Sequence, residues 1–177
     1  ENWIEPELRL TKSPFFVELE SELLQNEVTD ATVEAAYLRY LEKLAQVARL
    51  EIAGLYCDEE ADVVHVVGRT QGEPRIYFYR RWVDQAYWTP WEKIDLDIEG
   101  DHLLPVVYNR RLYLFWPIFE SKSGEGDGAD RWYEIRLAWS EYKDGGWSAK
   151  KTSDVFIKQE WKENKERFRF CVTELQT

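Results

Sequence analysis

The hydrophobic period of this chain changes once, at "CDEEAD" (57–62), and that change limits the folds open to it. Before it, apolar residues recur every three to four positions; after it, they alternate. A helical stripe and a half-buried strand are the elements those two periods specify. The chain is therefore expected to be α+β, mainly β, with a helical segment over 1–57 and antiparallel β-sheet over 58–177.

The helical part reads as a hairpin of two helices. "KSPFFVELESELLQN" puts Ser13 at an N-cap and Pro14 at the first helical position, where a missing N–H costs nothing. Phe15, Phe16, Leu19, Leu23 and Leu24 then follow at helical spacing. The second helix, opened by Thr29 or Asp30, is expected to run from about 30 to about 53, with Gly54 as its stop. Val33, Tyr37, Tyr40, Leu41, Leu44, Val47 and Ala48 form a single apolar stripe on this reading.

Short runs rich in aromatic and β-branched residues fill the rest: "DVVHVVGR", "RIYFYRRW", "WEKIDLDI", "LLPVVY", "RLYLFWPIF", "RWYEIRLAWS", "SDVFIKQEW" and "ERFRFCVTEL". The chain carries 9 Trp, 10 Tyr and 8 Phe, concentrated in this part, and flat side chains of that kind suit cores between sheets. "ESKSGEGDGADR" (120–131), rich in glycine and charge, reads as a flexible hairpin loop. The segments 65–97 and 112–154 share an order of parts: apolar strand, turn, second strand, then a tryptophan turn and a lysine-bearing strand. A unit of about 50 residues built of short antiparallel strands resembles a propeller blade, and this chain has room for about two.

A formal net charge of −11 argues against general nucleic-acid binding, which needs a basic footprint to displace counterions. It also disfavours docking on an anionic membrane, and no apolar run reaches the length of a spanning helix. Methionine is absent, even at position 1, as expected of an internal fragment or a processed chain. Cys57 and Cys171 form no metal-like cluster, and two cysteines leave a disulfide open.

The most suggestive stretch is "WEKIDLDIEGDH" (91–102). Ile94, Leu96 and Ile98 alternate with Asp95, Asp97 and Glu99, which places the acids together on the wet face of a strand. Its opening also resembles a calcium loop, with glycine in the sixth position, but Val106 stands where a bidentate glutamate is required. The expectation is a solvated acidic face, extended by Asp101 and His102, that could meet a basic partner in a pH-sensitive contact. His65 and His102 have no ligand at metal spacing, and no nucleophile elbow, phosphate loop or dinucleotide fingerprint appears. No catalytic residue, metal or cofactor is therefore expected. Exposed aromatics Trp82, Trp88 and Trp91 near Arg80 and Arg81 would form a glycan-binding surface if they stand clear of the core.

"SEYKDGGW" (140–147) resembles the hairpin motif of sialidase propellers, with Asp144 and Gly145 displaced from the usual spacing; in that motif the residues fold a turn. Sialidases also use an arginine cluster and a Tyr/Glu nucleophile pair. Arg80, Arg81, Arg110 and Arg111 are available, but neighbours in a strand point to opposite faces, and no Tyr/Glu pair is identifiable.

From "ENWIEPELRLTKSPFFVELESELLQ" through "YLEKLAQVARLEIAGLY" and "VHVVGRTQGEPRIYFYRRW" to "WTPWEKIDLDIEGDHLLPVVYNRRLYLFWPIF", the chain resembles the A subunit of bacterial toxin complexes, the insecticidal Tc toxins. The likeness covers residues 1–119, at the junction of the helical shell and the neuraminidase-like region. It implies a secreted or cell-surface pentamer that binds host cells and delivers a toxic partner. This segment would be a non-catalytic structural and gating part, with the rest of the subunit and its pentamer neighbours as partners. Host-surface glycans or receptors are possible further partners. A glycan-binding module and a sialidase-like glycosidase are the alternatives.

Overall fold

The computed structural model describes residues 12–124 and 131–160. Helix α1 (Pro14–Gln25) starts where Ser13 accepts the Phe16 amide at 3.2 Å. Helix α2 (Asp30–Val47) starts from a reciprocal cap: the Thr32 amide donates to Thr29 Oγ1 at 3.3 Å, and the Thr29 amide to Thr32 Oγ1 at 2.9 Å. The two helices are joined by Arg39–Glu22 and Lys43–Glu18 ion pairs and by an edge-on contact of Phe16 with Tyr40.

The second helix ends at Val47, short of the expected 53, and the helical segment does not extend to 57. Residues 51–58 form strand β1 (Glu51–Asp58), paired antiparallel with β2 (Val63–Arg69). "CDEEAD" is the turn of that hairpin, with the Ala61 amide donating to Asp58 Oδ1 at 3.2 Å and Asp62 at φ 51°. The physical reason lies in the pairing: ladder bonds to β2 outweigh continuation of a helix through Ile52 and Gly54, both poorer helix formers. Gly54 sits at a bulge in β1, and not at a helix end. A Cβ on Gly54 would stand 2.7 Å from the Leu103 carbonyl oxygen and from Pro105 Cδ, so only glycine lets that segment approach β1 so closely.

The first sheet continues through β3 (Tyr77–Val83), β4 (Tyr87–Trp88) and β5 (Glu92–Ile94), the last two both pairing with β3. The second sheet is built on two long strands, β7 (Arg111–Ser123) and β8 (Arg131–Lys143). Strand β6 (Leu104–Tyr108) pairs with β7, while β9 (Gly146–Trp147), β10 (Lys151–Thr152) and β11 (Ile157–Glu160) pair with β8. Asp144 and Gly145, both at positive φ, make the tight turn from β8 to β9, as the motif at 140–147 suggests.

The two sheets meet through alternate residues. Val67, Tyr77, Tyr79 and Ile94 of the first bury against Leu112, Leu114, Trp116 and Ala138 of the second, with Leu103 beside them. Trp147 adds an edge-on contact to Tyr79 at 5.5 Å. The opposite face of the first sheet presents Phe78 to Phe15 of α1 at 6.4 Å, so the helices and the second sheet lie against opposite faces of it. The fold is two helices followed by antiparallel sheets, mostly β and without a closed barrel.

The run 91–98 forms strand only over Glu92–Ile94. Its alternation survives all the same: Leu96 and Ile98 pack against the core, while Asp95, Asp97 and Glu99 are exposed. Burial of every second residue needs extended backbone and an apolar neighbour, and a ladder partner is not required. The expected strand at 166–175, Cys171, and residues 125–130 of the loop at 120–131 lie outside the described residues.

Candidate functional site

Three groups of polar and aromatic side chains stand out, and the strand register sets their membership. Arg80, Trp82 and Trp88 share the helix-facing side of the first sheet, since 80 and 82 have the same parity and Trp82 is directly opposite Trp88. The Arg80 guanidinium stacks on Trp88 at 4.0 Å and on Trp91 at 4.3 Å, and the Trp82 and Trp88 rings are 5.1 Å apart. Burial pulls the Arg80 pKa below its ordinary value, and its Nε makes no hydrogen bond among the described residues. The cation is thus enclosed by the rings that would have to receive a sugar. Trp88 remains 43% exposed beside Tyr87 at 52%. Arg81 is separated from this cluster, on the face toward the second sheet.

The acidic stretch is divided between charges held internally and charges that face outward. Lys150 Nζ lies 2.6 Å from Asp97 Oδ2. Arg69 and Arg75 both close on the Asp101 carboxylate, and the Tyr77 hydroxyl donates to the Gly100 carbonyl at 2.7 Å. Asp95 is 98% exposed at its side chain, with Lys93 3.9 Å away, and Glu99 is also exposed. His102 is partly buried. Lysine and arginine beside Asp97 and Asp101 make this a poor setting for a calcium ion, because the cations already occupy the carboxylate oxygens.

The third group was not singled out by the sequence. A cleft of about 520 Å³ opens between the sheets, lined in part by Asp58, His65, Tyr79, Arg81, Arg111 and Tyr142. His65 Nδ1 and the Tyr79 hydroxyl are 2.7 Å apart, with the two rings stacked. Burial pulls His65 down to about 4, assisted by Arg81 and opposed by Asp58. The Tyr142 hydroxyl donates to Glu92 Oε2 at 2.7 Å, and the Tyr79 and Tyr142 rings are 5.2 Å apart. Burial first, then the bond to Glu92 and its charge, push Tyr142 up to about 12; Arg81 pulls the other way. Burial likewise raises Tyr79.

A Tyr/Glu pair therefore does exist, which corrects the expectation that none is identifiable. The pair joins residues 50 apart in the chain across two sheets, so no local spacing announces it. Its chemistry is limited by its surroundings. A tyrosine nucleophile needs a phenolate, and every cause that raises Tyr142 disfavours one. Arg111 is engaged by Glu141 at 3.2 Å and Arg110 by Glu60 at 3.3 Å, which leaves Arg81 as the cleft arginine with no carboxylate in ion-pair range among the described residues.

Comparison with known proteins gives a consistent set of likenesses. The family profile described as neuraminidase-like domain matches residues 50–176. Toxin subunit YenA2 of Yersinia entomophaga is 33% identical over 172 residues, covering 84% of this chain and 12% of that protein. Morganella morganii TcdA4, solved by cryo-electron microscopy, superposes with a TM-score of 0.71 at 24% identity, over 87% of this chain and 7% of that one. Yersinia pseudotuberculosis TcaA-TcaB gives a TM-score of 0.64 at 20% identity, over 92% and 9%. At those identities the two solved structures establish the fold, and this chain spans a small part of each relative.

Proposed function

Because this chain belongs to the neuraminidase-like domain family, we propose that it is a non-catalytic structural and gating segment of a Tc-toxin A subunit. The observation that supports this best is the extent of the match to YenA2: most of this chain, and 12% of that toxin subunit. On this reading the two sheets are two blades of a larger propeller-like domain and the helices belong to the shell. The partners are the rest of the A subunit and its neighbours in a pentamer, and the assembly works outside the bacterium or at its surface. No helix among the described residues is long and apolar enough to cross a membrane.

The gating role falls to the outward carboxylates of the acidic stretch. Asp95, with Lys93 at 3.9 Å, and Glu99 face outward and can meet a basic surface on a neighbouring part of the assembly, whereas Asp97 and Asp101 hold Lys150, Arg69 and Arg75. Acidification neutralises carboxylates and weakens such a contact. In the full-length assembly, Asp95→Asn with Glu99→Gln should move the midpoint of acid opening toward neutral pH. Electron-microscopic counts of open particles across pH measure it, and superimposable curves for wild type and variant would remove these residues from the gate.

Two other readings each have one observation in their favour. Tyr87 and Trp88 lie side by side and exposed on β4, as a glycan-binding surface would require. The Tyr142–Glu92 pair beside Arg81 has the residue types of a sialidase nucleophile, against the raised Tyr142.

A further inference from the structure

Among the described residues, Arg81 carries a charge without a counter-charge. It stands directly opposite His65 in the β2–β3 ladder and lines the cleft of about 520 Å³ between the sheets. Its guanidinium makes no hydrogen bond and meets no carboxylate within 4.0 Å among the described residues, and its Nε is buried. A guanidinium drawn out of water is ordinarily paired, because the lost hydration otherwise goes uncompensated. The missing counter-charge is the observation that points to a ligand.

The other polar groups of the cleft are committed already. His65 Nδ1 and the Tyr79 hydroxyl share one hydrogen bond, and the Tyr142 hydroxyl donates to Glu92. Arg110 is engaged by Glu60, Arg111 by Glu141, and Lys143 by Asp144 at 4.0 Å. Asp58 Oδ1 accepts the Ala61 amide. One unpaired positive charge thus remains in a cleft of the size small ligands occupy, within a chain of net charge −11. A planar carboxylate matches the guanidinium fork with two parallel hydrogen bonds. A phosphate dianion would bring a second charge into a cleft that Asp58, Glu141 and Asp144 also line. The lining includes the aliphatic side chains of Val63, Val107 and Leu112. They favour a hydrocarbon body over a sugar, whose hydroxyls would lose water and find polar groups already spent.

We propose that this cleft binds a small monocarboxylate with an aliphatic body, its carboxylate on Arg81 and its hydrocarbon part against Val63, Val107 and Leu112. The site binds without turnover, and it is independent of the gating contact, whose Asp95 and Glu99 lie outside the cleft. Saturation-transfer NMR on the full-length subunit tests it, with sodium hexanoate as the probe. Hexanoate should bind with a dissociation constant of about 1 mM or below. Hexanamide, which keeps the body and lacks the charge, should bind at least ~10-fold more weakly. Arg81→Gln should abolish that preference, and Arg81→Lys, with the charge but not the fork, should keep part of it. Equal binding of hexanoate and hexanamide by the wild type would overturn the proposal, and that comparison requires no variant to fold. An undiminished preference in Arg81→Gln would overturn it as well, since the carboxylate would then sit elsewhere. Displacement of hexanoate by an equal concentration of phosphate or of N-acetylneuraminate also counts against it, the first marking a general anion site and the second a sialoside site.

Discussion

Replacing Trp116 with alanine is expected to cost about 3–5 kcal/mol of folding stability, the largest single loss available in this fold. Trp116 points inward from β7, is 1% exposed, and belongs to the cluster formed by Val67, Tyr77, Tyr79, Leu114 and Ala138. Removing an indole there forfeits its transfer from water and leaves a cavity that two hydrogen-bonded sheets cannot close. Domains of ordinary stability hold only about 5–15 kcal/mol, so the variant should be close to unfolding at physiological temperature. The Trp116 indole N–H has no partner among the described residues, so Trp116→Phe removes an unpaired donor along with some volume. It should cost well under half as much. Urea unfolding of the three proteins measures both differences, and a loss below about 1 kcal/mol for the alanine variant would mean that the sheets do not pack here.

The second large effect is on pH. His65 is held neutral in the folded state, with a pKa of about 4 against 6.5 when free. Between those values the unfolded chain binds more protons than the folded one, so stability falls as pH falls from 6.5 towards 4 and is fully present above 6.5. The loss is on the order of 2 kcal/mol once residual solvent around the ring is allowed for. Tyr142 acts at the other end: its pKa rises from 10 to about 12, the folded state keeps the proton longer, and stability is lost as pH rises through that window. His65→Gln should flatten the acid limb and leave the alkaline one; Tyr142→Phe should leave the acid limb and make the alkaline one shallower, with the buried Tyr77 and Tyr79, whose pKa values burial also raises, still contributing there. Unfolding free energies measured between pH 4 and 11 decide it, and an unchanged acid slope in His65→Gln would show that other groups carry the dependence.

How far this could be read beforehand depended on the range of the interaction concerned. The caps of both helices, the β8–β9 turn and the alternation at 94–99 are set by neighbours in sequence, and each appears where the residues suggest. The stretch 51–57 resembles helix in sequence because Ile52 and Leu55 continue the spacing set by Ala48, while their ladder partners, Gly68 and Val66, lie beyond a turn. The sequence grouped Trp82, Trp88 and Trp91 with both Arg80 and Arg81, but strand parity turns Arg81 to the other face, and the enclosure of Arg80 between Trp88 and Trp91 depends on how the chain turns after β4. The cleft was invisible for a different reason. His65, Tyr79, Arg81, Glu92 and Tyr142 sit on four strands of two sheets, and each alone looks like an ordinary strand residue.

The most direct test of a structural, non-catalytic role is turnover of a fluorogenic sialoside by the full-length subunit. Wild type, Tyr142→Phe and Glu92→Gln should be indistinguishable from buffer from pH 4 to 9, because Tyr142 stays protonated and Arg81 has no second free arginine beside it among the described residues. Turnover by the wild type that Tyr142→Phe abolishes, with the fold intact, would contradict the account and make the cleft an active site.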